Sequence, residues 1–209
     1  MPLDPTAMTA AHDAIRRDLV RFVRVLGGTE PVPPERAVAL RRHWEFVASA
    51  LGHYTGTQDA YLWPPARSHV PESELASLAF AVDKHPLVGD HLAVAGAAFA
   101  GGGAASAGPE RLILAENVQR LAMLADKRFA YEETVVLPLL IEHLPQESWD
   151  AYSAELTSFG PVEMSLPWLL DSAPADRISR VLGLLSTDDR DRYTGAWKPA
   201  YREQVSRLW

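Results

Sequence analysis

Hydrophobic residues recur at helical intervals along most of this chain. Over residues 6–26, Ala11, Ile15, Leu19, Phe22 and Leu26 form one stripe, and Gly27-Gly28 ends it. His12 lies beside the stripe, one turn before Arg16. Pro31, Pro33 and Pro34 form a stiff connector, with Pro34 placed to open the next helix. A second helix is predicted over 35–57, with Ala37, Leu40, Trp44, Val47 and Leu51 inward and His53 and Tyr54 near its end. Gly56 weakens that end, and Pro64-Pro65 is expected to stop any continuation through Tyr61, Leu62 and Trp63. Residues 71–82 read as a third helical segment, and Pro86 either kinks it or begins a new helix. Leu87, His91, Val94 and Ala98 then share a face. The stretch 101–109 is a glycine-rich loop.

The longest helical pattern covers 110–143, where Pro138 predicts a kink or an early end. Shorter helical pieces follow at 146–156, 161–170 and 175–185, with a last helix over 188–208. The tryptophans and tyrosines concentrated there (Trp149, Trp168, Tyr193, Trp197, Tyr201, Trp209) are expected to pack against the preceding helices. No segment alternates like a strand, so the fold class is all-α. Four long helices, each with an inner stripe, make a bundle, and bundle cores commonly hold sites built from facing side chains.

Composition narrows the chemistry. The 209 residues are 47% hydrophobic and 22% charged, ordinary globular material long enough for a real core. A net charge of -7 opposes nonspecific binding to nucleic acid or an anionic membrane. Without cysteine there are no disulfides, thiolate metal sites or cysteine nucleophile. A metal site would need His and carboxylates, which suit iron, zinc or manganese. The first residues lack the layout of a signal peptide, and no apolar run approaches a membrane span, so a cytoplasmic location is expected.

The candidate chemistry centres on KRFAYEETVVLPLLIEH, residues 127–143. Arg128 and Glu132 are four apart, one above the other on a face whose neighbours Leu121, Leu124 and Val135 are apolar. Such a pair is either a site or a buried ion pair. The other inward polar residues are His12, Tyr54, Gln58 and His91. Tyr131 is close enough to the same face to form a wall. Asp59 and Glu133 flank site positions, as surface charges or as partners that orient a histidine. His43 is expected at a helix surface, His69 in solvent, His143 near a helix end, and His53 beside the site but turned from it.

In the order of its motifs the chain resembles the bacterial hemerythrin-like family, the HHE cation-binding domain, in its actinobacterial form. HDAIRRDL (12–19) is similar to the family's first His helix, HYTGTQDAYLWP (53–64) to its His-rich segment, and EETVVLPLLIEHLP (132–145) to its last bundle helix. SLPWLLDSAPADRISRVLGLLSTDDRDRY (165–193) and WKPAYREQVSRLW (197–209) are similar to the extension that some members carry. The resemblance implies an up-down four-helix bundle of hemerythrin type over 1–145, with a C-terminal helical extension over 146–209 packed on it. It also implies two irons bridged by carboxylates and held by a His near the start and by His-x-x-x-Glu pairs on two helices. By position His12 matches the first ligand, His91 the third-helix ligand with His85 as rival, and Glu132 the last carboxylate.

Three positions depart from that pattern. Tyr54 and Arg128 stand where histidines belong, and Gln58 stands where a glutamate belongs. A guanidinium stays protonated and cannot ligate a metal, and an amide carries no bridging charge. The two-iron centre is therefore expected to be absent or severely weakened, and no cofactor is expected. The leading functional expectation is a metal-independent pocket for a small organic molecule. In it, His12, His91 or Glu132 would transfer protons, Arg128 would hold an oxyanion, and Tyr54, Gln58 and Tyr131 would line the site. One alternative is a residual iron protein that uses His12, His91 and Glu132 to bind oxygen or nitric oxide or to carry out oxidation. The other is a non-enzymatic regulatory or partner-binding bundle, with Arg128-Glu132 as structural glue.

Overall fold

The computed structural model describes residues 3–82, 85–106 and 108–209, and among them the fold is an all-α, multi-helix bundle without strands. Helix α1 (Thr6–Leu26) is followed by α2 (Pro34–Thr57), α3 (Trp63–His69), α4 (Leu75–Val82), α5 (His85–Ala100) and α6 (Pro109–Tyr131). Then come α7 (Leu137–His143), α8 (Gln146–Thr157), α9 (Val162–Leu170), α10 (Ala175–Leu184), α11 (Thr187–Arg192) and α12 (Lys198–Ser206). Pro34 and Pro109 occupy the first turns of α2 and α6, where the missing N–H has no helical partner to lose. Gly102 ends α5 with φ +81, a left-handed conformation that glycine adopts without strain.

Helices α1 and α6 lie antiparallel: Arg111 reaches the carbonyls of Gly28 and Glu30 at one end, and His12 meets Glu133 at the other. Helices α1 and α2 are antiparallel as well, since Asp18 faces His43 while His12 faces Tyr54. Helix α5 packs along α6, with Gly103 beside Leu114, and meets α2 where Phe99 stacks on Trp44 at 5.0 Å.

One helix runs further than its prolines predict, and another takes up a distortion at its proline without ending there. Pro64-Pro65 does not stop the second helix, which passes through a π-helical turn at Gln58–Leu62 and continues as α3 to His69. Pro138 does not end the fourth pattern either: α6 passes through a π turn at Glu132–Val136 into α7. A third π turn, Tyr193–Trp197, joins α11 to α12 ahead of Pro199. In all three cases the proline is the sixth residue after the first residue of the π turn. Proline removes one i→i−4 hydrogen bond and its ring crowds the carbonyl four residues back. A wider turn just before it relieves both conflicts without breaking the helix.

Of the helices after residue 145, α8, α9 and α12 share the main core, while α10 packs on a second, smaller cluster around Leu166, Leu170 and Tyr193. Trp149, Tyr152, Leu156, Trp168, Tyr201 and Leu208 belong to the same buried apolar cluster as Ile15, Phe22, Trp44 and Phe129. Trp149 Nε1 donates to the Asp4 carbonyl at 3.1 Å, and Arg36 donates to the Leu208 carbonyl at 2.8 and 3.0 Å. A chain ending at residue 145 would expose the faces of α1 and α2 that these residues cover. It is expected to lose the single cooperative thermal transition of the whole chain, as followed by circular dichroism.

Candidate functional site

At the core, α1, α2, α6 and the two π turns that follow α2 and α6 bring five polar side chains together. His12, Gln58 and Glu132 have no solvent exposure, Tyr54 has 1% and Arg128 3%. Gln58 and Glu132 are the first residues of their π turns. Glu132 is the hub. Its Oε1 accepts from Arg128 Nε at 2.7 Å. Its Oε2 accepts from the Tyr54 hydroxyl and from Gln58 Nε2 at 3.1 Å, and it lies 3.1 Å from His12 Nε2. Gln58 also donates to the Tyr54 oxygen at 2.7 Å, while Arg128 Nη2 donates to the Gln58 carbonyl oxygen. The guanidinium carbon stands 5.6 Å over the Tyr54 ring.

Glu133, the next residue, faces the other side of His12. Its Oε1 is 2.6 Å from His12 Nδ1 and accepts from Arg16 Nη1 at 2.6 Å, and Arg16 Nε donates to Asp126 at 3.0 Å. The imidazole is stacked on Phe129, 4.2 Å between centroids and 12° from parallel. Nδ1 thus faces a carboxylate oxygen, while Nε2 lies 2.6 Å from the Tyr54 hydroxyl and 3.1 Å from Glu132 Oε2. Carboxylate, phenol, amide and guanidinium otherwise satisfy one another. The exception is Arg128 Nη1, which is buried without a hydrogen-bond partner among the described residues.

Electrostatics follow from this packing. Burial pushes the Glu132 carboxyl up, but the His12 hydrogen bond and the Arg128 charge outweigh it and hold the pKa at about 2. Burial also raises Glu133, and its bonds to His12 and Arg16 bring it below the ordinary carboxylate value. Burial, with the Glu132 charge adding to it, drives the Tyr54 phenol well above its usual value. Tyr54 is therefore a neutral donor, with no tendency to become a tyrosinate ligand.

Of the residues expected at the site, His12, Tyr54, Gln58, Arg128 and Glu132 meet. His91 does not join them: it is half-buried on α5 and makes no hydrogen bond or ion pair with the cluster. The side chain of its rival His85 lies outside the described residues. The Tyr131 hydroxyl donates to the Ser77 carbonyl at 3.2 Å. Glu133 takes the orienting role on His12 rather than that of a surface charge. Arg16 and Phe129 were not legible as site residues, because their partners lie on another helix.

The fit to a metal is poor. Among the described residues no three His, Asp or Glu side chains converge to hold an ion, so His12, His91 and Glu132 do not form one site. Arg128 is spread over Glu132 and Gln58, where a cation would need the same oxygens.

A second charged centre lies one helix pair away, and it corrects the placement of His43. That residue is not at a helix surface but 3% exposed, its Nε2 2.8 Å from Asp18 Oδ2. Asp18 is fully buried. It accepts from Trp168 Nε1 at 2.9 Å, from Arg17 Nε at 3.0 Å and from Arg21 Nη1 at 3.3 Å. Burial raises its carboxyl, and His43 and Arg17 reverse that to about 2. The centre ties α1 and α2 to α9. Of the other histidines, His53 contacts the Glu155 carbonyl at 2.9 Å, and His143 lies 3.7 Å from Glu74.

Fold and site together define an all-α bundle with a buried ion-pair centre at its core. Compared with family models, curated proteins and solved structures, the chain matches none.

Arg128→Met leaves Glu132 buried with too little positive charge and is expected to cost about 3–5 kcal/mol in chemical denaturation. Arg128→Met combined with Glu132→Leu removes both charges and is expected to recover much of that loss. Glu132 and Asp18 hold protons more weakly folded than unfolded. Their stabilisation is therefore complete above the unfolded pKa of about 4 and is lost as the pH falls toward about 2. Denaturation midpoints measured across that window should fall steadily with pH.

Proposed function

We propose that this chain is a hemerythrin-type, up-down four-helix bundle in which side chains have taken the place of the two-iron centre, and that the centre acts without metal on a small organic molecule. What supports the bundle type is the order of the motifs around His12, residues 53–64 and residues 132–145, together with the antiparallel ring α1, α2, α5, α6. What supports metal independence is charge. The guanidinium of Arg128 supplies the positive charge that a buried Glu132 requires.

One observation carries the small-molecule reading: Arg128 Nη1, buried and without a partner, in the same cluster as an imidazole held by Glu133. A guanidinium edge of this kind holds a carboxylate or enolate oxygen. His12, fixed through Nδ1, would exchange a proton at Nε2 with a ligand that displaces Tyr54 or Glu132. Glu133 and Arg16 would keep the ring in place. The partner is then a small anion or a carbonyl compound that can form one, not nucleic acid and not a membrane. Among the described residues no helix is long and apolar enough to cross a bilayer.

A second reading rests on the burial itself. The cluster has almost no exposure and is otherwise self-satisfied, as a structural replacement for a metal in a non-enzymatic bundle would be. Metal analysis of the purified protein, followed by titration with acetate while the Arg128 and His12 side-chain nitrogens are observed by NMR, separates the readings. Iron-free protein with saturable shifts of both side chains is the expected result. Two irons per chain with an oxo-bridged spectrum would overturn metal independence. Iron-free protein with no acetate response would leave the structural reading.

A further inference from the structure

A cavity of about 270 Å³ lies between α2, α9 and the end of the chain, outside the centre described above, and His43, Phe46, Glu163, Trp197, Tyr201 and Gln204 are on its wall. Its size is near the lower end of small-molecule clefts, and its surface is mostly apolar with a few polar groups, the usual make-up of such sites. We propose that it is a binding site for a small phenol-like molecule: a flat aromatic ring between apolar walls, with one hydroxyl donating to His43 Nδ1. The proposal does not depend on the reading of the Arg128-Glu132 centre.

His43 supplies the chemistry. Asp18 is ionised at neutral pH and accepts on Oδ2, so His43 Nε2 carries the proton that bridges them at 2.8 Å. In the tautomer that carries its one proton on Nε2, Nδ1 has a lone pair. Nδ1 makes no hydrogen bond among the described residues, although His43 is only 3% exposed. A carboxylate that fixes one imidazole nitrogen and leaves the other free to accept, on a side chain that lines a cavity, is an arrangement by which proteins present a base to an O–H group. Clamping α1 to α2 accounts for Nε2 and does not call on Nδ1.

The walls favour an aromatic ring. Phe46 is held by Trp168 at 5.2 Å, edge to face, and by Phe159 at 5.3 Å. The π turn Tyr193–Trp197 brings Trp197 to the same cavity wall. The Tyr201 hydroxyl is engaged by Asp171 at 3.4 Å, so that side chain offers its ring rather than its oxygen. Glu163 and Gln204, exposed at the rim, make no side-chain hydrogen bond among the described residues. The carboxylate of Glu163 disfavours an anionic ligand, which is why a neutral phenol fits better than a carboxylate of the same size.

Phenol and anisole, equal in shape but differing in the donor, are the probes. Binding to the full chain is followed by NMR of the His43 ring nitrogens. Phenol is expected to saturate and to shift those signals, with anisole about tenfold weaker, the loss of one hydrogen bond. His43→Gln should bring phenol down to the level of anisole. Ala200→Trp, which fills the cavity from exposed α12 and leaves the His43–Asp18 hydrogen bond unaltered in sequence, should abolish binding of both and stands as the test if His43→Gln fails to fold. Absence of saturable phenol binding, equal affinity for anisole, or unchanged binding in Ala200→Trp would each overturn the proposal.

Discussion

A carboxylate with no solvent exposure must be neutralised where it lies, and much of the centre of this protein follows from that requirement at Glu132. Transfer of a lone carboxylate into a protein interior costs several kcal/mol even after relaxation. Here the cost is offset by one guanidinium from the preceding turn, one imidazole from α1, a phenol from α2 and an amide from the π turn after α2. Each of those groups is itself buried and has to be satisfied in turn. The requirement therefore spreads: Arg128 reaches Gln58, Gln58 reaches Tyr54, and His12 reaches Glu133, which reaches Arg16 at the boundary with solvent. Three elements become locked in one register by hydrogen bonds that only this alignment can make.

The π turns make that alignment possible. An extra residue in a turn rotates all that follows it around the helix axis. After Glu132 the next buried positions are Val136 and Leu137, so the apolar face of α7 continues from a shifted phase. The prolines at 64, 138 and 199 mark where each shift occurs. Two of the three turns begin on residues of the Glu132 network, and the third places Trp197 on the wall of the His43 cavity. Distortions that cost regular hydrogen bonds are thus found at the polar sites of the molecule, where π turns frequently occur.

Asp18 solves the same problem a second time with different partners. Two arginines, a histidine and a tryptophan share one buried carboxylate, and the tryptophan comes from α9, beyond the end of the first long helices. This ties α9, and with it α8 and α12, to the core of the first helices. Removing them would strip Asp18 of a donor as well as exposing apolar surface.

Much of this protein was legible in its sequence. The 3.6-residue stripes located α1 and α2 almost to the residue, because an amphipathic helix must bury one face whatever its partners are. The spacing of Arg128 and Glu132 announced an ion pair, since residues four apart on a helix are neighbours without any tertiary information. The misplacements are equally physical. Pro64-Pro65 reads as a helix end, and Pro138 as a kink or an early end, because the local penalty is visible, while the widened turn that relieves it is stabilised by packing from elsewhere. His91 shares a helical face with apolar residues, yet only the rotation of α5 within the bundle decided that this face misses the centre. His43 was assigned to the surface because its partner Asp18 is on another helix, and no pattern within 35–57 can reveal a carboxylate waiting across the interface. The sequence by itself determined which segments are helices and which charges are adjacent along them. Tertiary structure alone decided which buried charges meet, because a carboxylate is neutralised by whatever cation lies within hydrogen-bonding distance, however far away it is in the chain.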